Sequence, residues 1–154
     1  MFLIDTNILI SEILIEYEKD EQTLTYRAFY QQMPLIKRVL PDFILSELEI
    51  YMTQVVPSRY QKRMNENERK RIRPVTSAYM EQLIEKSTLI SPSLSVIKTA
   101  FALYKRFENT HYISFTDSLL LAVADANVYT LLTKDQRLIS KAKELHIDCY
   151  EPEK

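Results

Sequence analysis

A chain of 154 residues suits one domain and can bury roughly 70% of the surface its unfolded form exposes, so it needs no disulfide; its single cysteine, Cys149, reads as a small packing residue. The absence of glycine excludes the glycine-rich turns that bring backbone amides against phosphate in dinucleotide folds and P-loops. A net charge of −1 announces no polyanion partner, and no apolar run reaches the roughly 18 residues of a membrane span.

In chain order, Phe2-Leu3-Ile4 is a short buried strand that meets a charge at once in Asp5. That start lacks the basic residues and unbroken apolar stretch of a signal peptide, so a soluble cytoplasmic protein is expected. Asn7 to Tyr17 reads as a helix with Ile8, Leu9, Ile13 and Leu14 apolar, and a second helix covers 22–32. Val39-Leu40 is a strand end cut short by Pro41. Asp42 is placed to cap a helix from about Phe43 to Thr53, which Pro57 is expected to end. A basic, partly helical segment follows, and Pro74 is expected to open another helix to about Glu85. Leu89-Ile90 is a strand candidate. Ser93 starts a helix with Leu94, Ile97, Phe101 and Tyr104 at helical spacing. Ser114-Phe115-Thr116-Asp117 has the form of a capping box. The helix it opens is apolar nearly all round from Leu119 to Ala124, so it belongs between layers. Tyr129 to Thr133 is a strand, Asp135 to Leu145 a helix facing Leu138, Ile139, Ala142 and Leu145 inward, and Ile147 to Tyr150 a last short strand. Short apolar strands alternating with helices predict an α/β fold: a parallel sheet covered on both faces in a three-layer α/β/α arrangement.

Charge is unevenly spread. Residues 59–73 hold seven basic and two acidic residues, a net of +5, which leaves −6 for the rest of the chain. A basic segment on an acidic body suggests a phosphate contact, with Arg69, Lys70, Arg71 and Arg73 as candidates. A solvated helix face is the plainer alternative. The expected organisation is a single domain over 1–154, with a basic helical insertion or arm at about 57–87.

The acids carry the chemistry. Asp5 ends the first strand, Asp117 begins the buried helix, Asp135 follows the strand that ends at Thr133, and Glu47 sits early in a helix after a strand. In a parallel sheet, ligand sites gather beyond the carboxyl ends of the strands, and all four acids are placed to reach that edge. Asp117 and Asp135 could simply be helix caps, and Glu47 a surface residue. Converging, however, two carboxylates ~4 Å apart repel by about 4 kcal/mol, and a hard cation such as Mg²⁺ or Mn²⁺ would join them. Zinc is disfavoured, because His111 and His146 lack ligand spacing and read as ordinary surface or packing residues. Asp125, eight residues past Asp117 and so turned about 80° round the helix, is left outside the site.

The ordered set Phe2-Leu3-Ile4-Asp5-Thr6-Asn7, Leu45-Ser46-Glu47-Leu48, Phe115-Thr116-Asp117-Ser118-Leu119-Leu120-Leu121-Ala122 and Leu131-Leu132-Thr133-Lys134-Asp135 resembles the four acidic motifs of PIN domains, across nearly the whole chain. The resemblance implies a parallel sheet of four or five strands. It implies Mg²⁺- or Mn²⁺-dependent cleavage of RNA to a 5′-phosphate and a 3′-hydroxyl, commonly by VapC-type toxins paired with an antitoxin. Asp5, Glu47, Asp117 and Asp135 would then be the metal-binding acids, Asn7 and Thr133 their hydrogen-bonding supports, and a homodimer the expected state. The lack of glycine and the long basic stretch from Pro57 to Ser87 depart from the compact toxin pattern. Two other classes stay open. One is a non-catalytic RNA-binding module. The other is an aspartate-dependent phosphatase or phosphotransfer domain, although Asn7 stands where a haloacid-dehalogenase-type enzyme wants its second Asp.

Overall fold

The computed structural model describes residues 1–109 and 112–152; His111 lies outside the described residues. Four short strands form one sheet in the order β3-β2-β1-β4, with every pairing parallel. They are β1 (Phe2–Ile4), β2 (Arg38–Pro41), β3 (Thr88–Ile90) and β4 (Thr130–Leu132). The inner strands β1 and β2 carry Leu3, Ile4, Val39 and Leu40, all fully buried. Strands covered on both faces need such continuous apolar runs. Ile147–Tyr150, expected as a strand, contributes only one bridge: Cys149 pairs with Leu131, flanked by hydrogen bonds from Leu131 to Asp148 (2.8 Å) and from Tyr150 to Leu131 (2.9 Å).

Helices cover the sheet as an α/β/α sandwich. They are α1 (Thr6–Ile13), α2 (Glu21–Gln32), α3 (Asp42–Ile50), α4 (Val56–Arg59), α5 (Glu66–Lys86), α6 (Leu94–Phe107), α7 (Phe115–Asn127) and α8 (Gln136–Glu144). One group packs α1 on α2, α3 and α5; a second packs α6 on α7. As its pattern predicts, α7 is buried from Ser118 to Ala124. No helix among the described residues is long and apolar enough to cross a membrane.

Four expectations are corrected. The first helix stops at Ile13 rather than Tyr17: the chain turns after Leu14, and Tyr17 packs against Tyr60, 5.2 Å between ring centroids. Asp42 is the first residue of α3 rather than its cap, and it accepts a hydrogen bond from the Ser91 hydroxyl. Pro57 does not end the helical path. A π-helical turn at Tyr51–Val55 joins α3 to α4, and Pro57 sits in the first turn of α4, where its missing N–H has no helical partner to lose. Pro74 does not open a helix, because α5 starts eight residues earlier at a capping box. There Glu68 N donates to Asn65 Oδ1 (2.9 Å) and Asn65 N to Glu68 Oε2 (2.7 Å), an arrangement worth about 1 kcal/mol that fixes the start independently of the proline.

The stripe Leu94, Ile97 and Phe101 of α6 faces outward. The residues packed toward α7 are Val96, Ala100 and Leu103, against Leu119 and Ala122.

Candidate active site

The ends of β1 and β4 lie side by side, since Ile4 is in register with Leu132 and Asp5 N donates to Leu132 O (3.0 Å). The residues that follow each strand therefore meet. Thr133 donates its hydroxyl to Asp5 Oδ2 (2.6 Å), and Asn7 Nδ2 donates to the same oxygen (2.6 Å) and to Thr133 Oγ1 (2.9 Å). The second strand end is tied back twice: Lys134 N donates to Asn7 Oδ1 (3.2 Å) and Asp135 N to Thr133 Oγ1 (3.1 Å). Asp5 is buried, so these donors replace the water its carboxylate would lose.

The other acids are held locally. Asp117 completes the predicted capping box: Asp117 N donates to Ser114 Oγ (3.0 Å), and Asp117 Oδ2 accepts from Ser114 N (2.7 Å). Asp135 caps α8, its Oδ1 accepting from Arg137 N (2.8 Å) and Leu138 N (3.4 Å). The backbone cap thus engages one oxygen of each. Glu47, half-buried on α3, accepts through Oε2 from the Thr6 hydroxyl. The sequence alone does not single out Thr6, although its place between Asp5 and Asn7 is a signal, and it marks Ser114 only as a cap.

The carboxylates feel one another. Burial pushes Asp5 up to about 7; the Thr133 hydrogen bond works against this, and the charges of Asp117 and Glu47 add to it. Burial likewise raises Glu47, with Thr6 opposing and Asp117 reinforcing. It raises Asp117 too, opposed by the Ser114 hydrogen bonds and reinforced by Asp135. The structure therefore brings Asp5, Glu47, Asp117 and Asp135 into one electrostatic unit. Asp125 stays out of it, exposed and about 12 Å along α7 from Asp117. His146 is exposed at a left-handed turn, φ 59°, far from any ligand role.

Chemically, this is an all-oxygen anionic site. Among the described residues, no group of three or more Asp, Glu, His or Cys side chains is gathered closely enough to hold a metal ion. Carboxylate oxygens are the donors that Mg²⁺ and Mn²⁺ take, and Mg²⁺ uses one or two of them beside water and substrate phosphate. The donor chemistry and the raised, mutually repelling carboxyls fit such an ion.

The basic residues are more dispersed. Arg69 donates to Gln61 O (2.8 Å) and Met64 O (3.1 Å), and Lys70 pairs with Glu66 (2.7 Å). Arg73 lines a groove of about 730 Å³ beside Glu49, Glu81 and Glu85. Arg71 is exposed.

A PIN domain model matches residues 2–144. No curated protein is significantly similar to the chain. Among solved structures, it resembles VapC20 of Mycobacterium tuberculosis, a toxin that cleaves the sarcin–ricin loop, at 12% identity over 92% of this chain and 95% of that one, with a TM-score of 0.67. It also resembles VapBC2 of Rickettsia felis bound to a promoter DNA fragment, at 14% identity over 99% and 98% of the two chains, TM-score 0.60. A toxin–antitoxin complex from Klebsiella pneumoniae matches at 16% identity over 100% and 99%, TM-score 0.58. At these identities the likeness is one of fold.

Proposed function

The chain belongs to the PIN domain family, and from that premise we propose that it is a Mg²⁺- or Mn²⁺-dependent endoribonuclease whose catalytic acids are Asp5, Glu47, Asp117 and Asp135. The observation that carries this reading is Asp5. It is a carboxylate buried at the end of an inner strand, gripped by Asn7 and Thr133 and within reach of the charges of Asp117 and Glu47.

The four acids would hold the cation, and the bound ion supplies positive charge against the phosphodiester and an acidified water for attack. The chain's own residues provide the positioning. Asn7 and Thr133 fix the Asp5 carboxylate, Thr6 orients Glu47, Ser114 holds Asp117, and the first amides of α8 hold Asp135. Side chains locked in this way cost little reorganisation during the reaction. Water adds to phosphorus and the bond to the 3′ oxygen breaks, leaving a 5′-phosphate and a 3′-hydroxyl. Arg69, Lys70, Arg71 and Arg73 add a diffuse attraction for the RNA rather than fixed contacts. The protein would act in the cytoplasm, restrained by a protein antitoxin. A second copy of the chain would cover the exposed Leu94, Ile97 and Phe101 of α6, a point that sedimentation of wild type against Phe101→Glu decides.

The direct test is incubation of the pure protein with labelled mixed RNA and Mn²⁺ or Mg²⁺, beside EDTA and Asp5→Asn controls. Metal-dependent cutting lost in the variant is expected. RNA binding without turnover would mean a non-catalytic module, and rapid labelling of Asp5 by beryllofluoride would mean a phosphotransfer domain.

A further inference from the structure

Next to the acid edge lies a second concavity of different chemistry. Lys134, whose amide binds Asn7, sends its ammonium to Glu18 (2.6 Å) and Thr23 Oγ1 (3.0 Å). It borders a cavity of about 360 Å³ together with Tyr17, Tyr60, Arg59 and Arg63. Tyr60 is buried beneath, and its hydroxyl donates to Glu18 (3.4 Å). Two guanidinium groups lie over the ring pair. Arg63 is 5.3 Å from the Tyr17 centroid and 5.8 Å from that of Tyr60, and Arg59 is 5.6 Å from Tyr60. Arg59 also donates to the Tyr51 hydroxyl.

Both arginines are exposed, and among the described residues neither has a carboxylate within ion-pair distance. The acids at the rim are already engaged, Glu18 by Lys134 and Asp20 by the amide of Thr23 (2.9 Å). A guanidinium resting on a ring keeps its in-plane N–H fork free and loses less side-chain freedom when it binds. A planar fork of that kind matches a phosphate diester in two-point fashion. Arg59 gives one N–H to Tyr51 and keeps the others, and the Arg63 guanidinium makes no hydrogen bond or ion pair among the described residues, whereas the donors of Arg69 and Lys70 serve two carbonyls and Glu66.

We propose that Arg59 and Arg63, stacked on Tyr17 and Tyr60, form a backbone-phosphate subsite for the RNA strand, beside the catalytic acids. The inference rests on the ribonuclease reading and names where the substrate is held. It places the fixed phosphate grip at the end of α4 and in the turn that follows it, against the turn after α1, rather than along α5.

The test uses the full chain in the Asp5→Asn background, so that binding is read without cleavage. The probe is a fluorescein-labelled pool of single-stranded RNA, followed by polarisation over a salt series. Arg59→Ala/Arg63→Ala should raise Kd tenfold or more and make the salt dependence shallower by about 0.7 for each phosphate that is no longer neutralised. Arg59→Lys/Arg63→Lys should recover only part of the affinity, because charge remains but the stacked fork does not. If the double alanine variant does not fold, Arg63→Glu, on an exposed side chain, carries the same comparison. Parent-like affinity and salt slope in a folded variant, with an RNA-binding parent, overturn the subsite and leave the nuclease standing. A parent that binds no RNA, with a wild type that cuts none, removes both. A variant that loses binding to polyglutamate but not to RNA makes this a protein-docking face and overturns the proposal.

Discussion

The acid edge and the basic stretch from α4 through α5 are both densely charged, yet they are built in opposite ways. At the edge each charge is rigidly placed. One oxygen of Asp117 and one of Asp135 serve helix caps, Asp5 is clamped by two side chains, and the strain of gathering like charges shows as carboxyls raised by burial and repulsion. On the basic stretch part of the charge is answered nearby, Arg69 by carbonyls and Lys70 by Glu66, while Arg73 lines a groove with three glutamates and forms no ion pair among the described residues. Counting charges therefore locates the second region but misjudges which of its residues are free. Position in the fold identifies the first region residue by residue.

If the edge is a preorganised site, Asp5→Asn should lower RNA cleavage by on the order of 10³-fold or more, comparable to the loss of a central electrostatic group in other hydrolases. Single-turnover assays with Mn²⁺ measure it. Thermal unfolding should show the variant at least as stable as wild type, because a charge that burial disfavours has been removed. Cleavage by the variant at the wild-type rate would dissolve the contrast between the regions.

The same strain predicts a pH dependence. Asp5 is raised to about 7 in the folded state, against about 3.8 in the unfolded chain, so between those values the folded protein binds a proton that the unfolded one has released. Stability from this group is complete below about 3.8 and is lost as pH rises through 7, an effect of roughly 4 kcal/mol. Glu47 and Asp117 are shifted in the same direction. Metal-free protein should therefore melt higher at pH 5 than at pH 8. Mg²⁺ or Mn²⁺ should restore stability at pH 8 and do little at pH 5, where protons hold the site. Asp5→Asn should flatten the profile; an unchanged profile in that variant would assign the effect elsewhere.

Thr133 offers a finer probe, since its hydroxyl donates to Asp5 and accepts from Asn7 and the Asp135 amide. Thr133→Val keeps the shape and removes those bonds. Cleavage should fall about 10- to 100-fold, as for other groups that orient metal-binding residues, and stability by about 1–3 kcal/mol. A kinetic loss without the loss of stability would show that the hydroxyl serves geometry alone.

Much of this edge was legible in the sequence, because an apolar triplet followed directly by Asp5 states both a strand and its end. The same logic placed Asp135 after Thr133, and Ser114-x-x-Asp117 declared a helix start. What was illegible depended on tertiary packing. Thr6 is an unremarkable first-turn residue until α3 brings Glu47 against its hydroxyl. The early end of α1 follows from Tyr17 packing on Tyr60, a partner 43 residues away in the chain. Pro57 and Pro74 misled for a local reason: a proline is read as a boundary, but a π turn and a capping box had set the boundaries elsewhere.

The smallest expected effect tests the basic helix itself. Replacing Arg69, Lys70, Arg71 and Arg73 together by Gln removes four charges, more than the Arg59/Arg63 pair carries. If affinity followed charge count, this variant would lose more RNA binding than Arg59→Ala/Arg63→Ala. The hydrogen bonds of Arg69 and the ion pair of Lys70 withhold those two from phosphate, so only Arg71 and Arg73, without rings beneath them, stand against Arg59 and Arg63. The quadruple variant should therefore weaken RNA binding only a few-fold with little change in salt slope. It should also lose about 1 kcal/mol of stability, because Arg69 no longer caps the carbonyls of Gln61 and Met64 ahead of α5. Polarisation titrations of the two variants, run side by side at matched salt, rank them. A steeper loss in the quadruple variant would make α5 the true RNA-binding surface and reverse the lesson that partners, rather than composition, decide which charges are available.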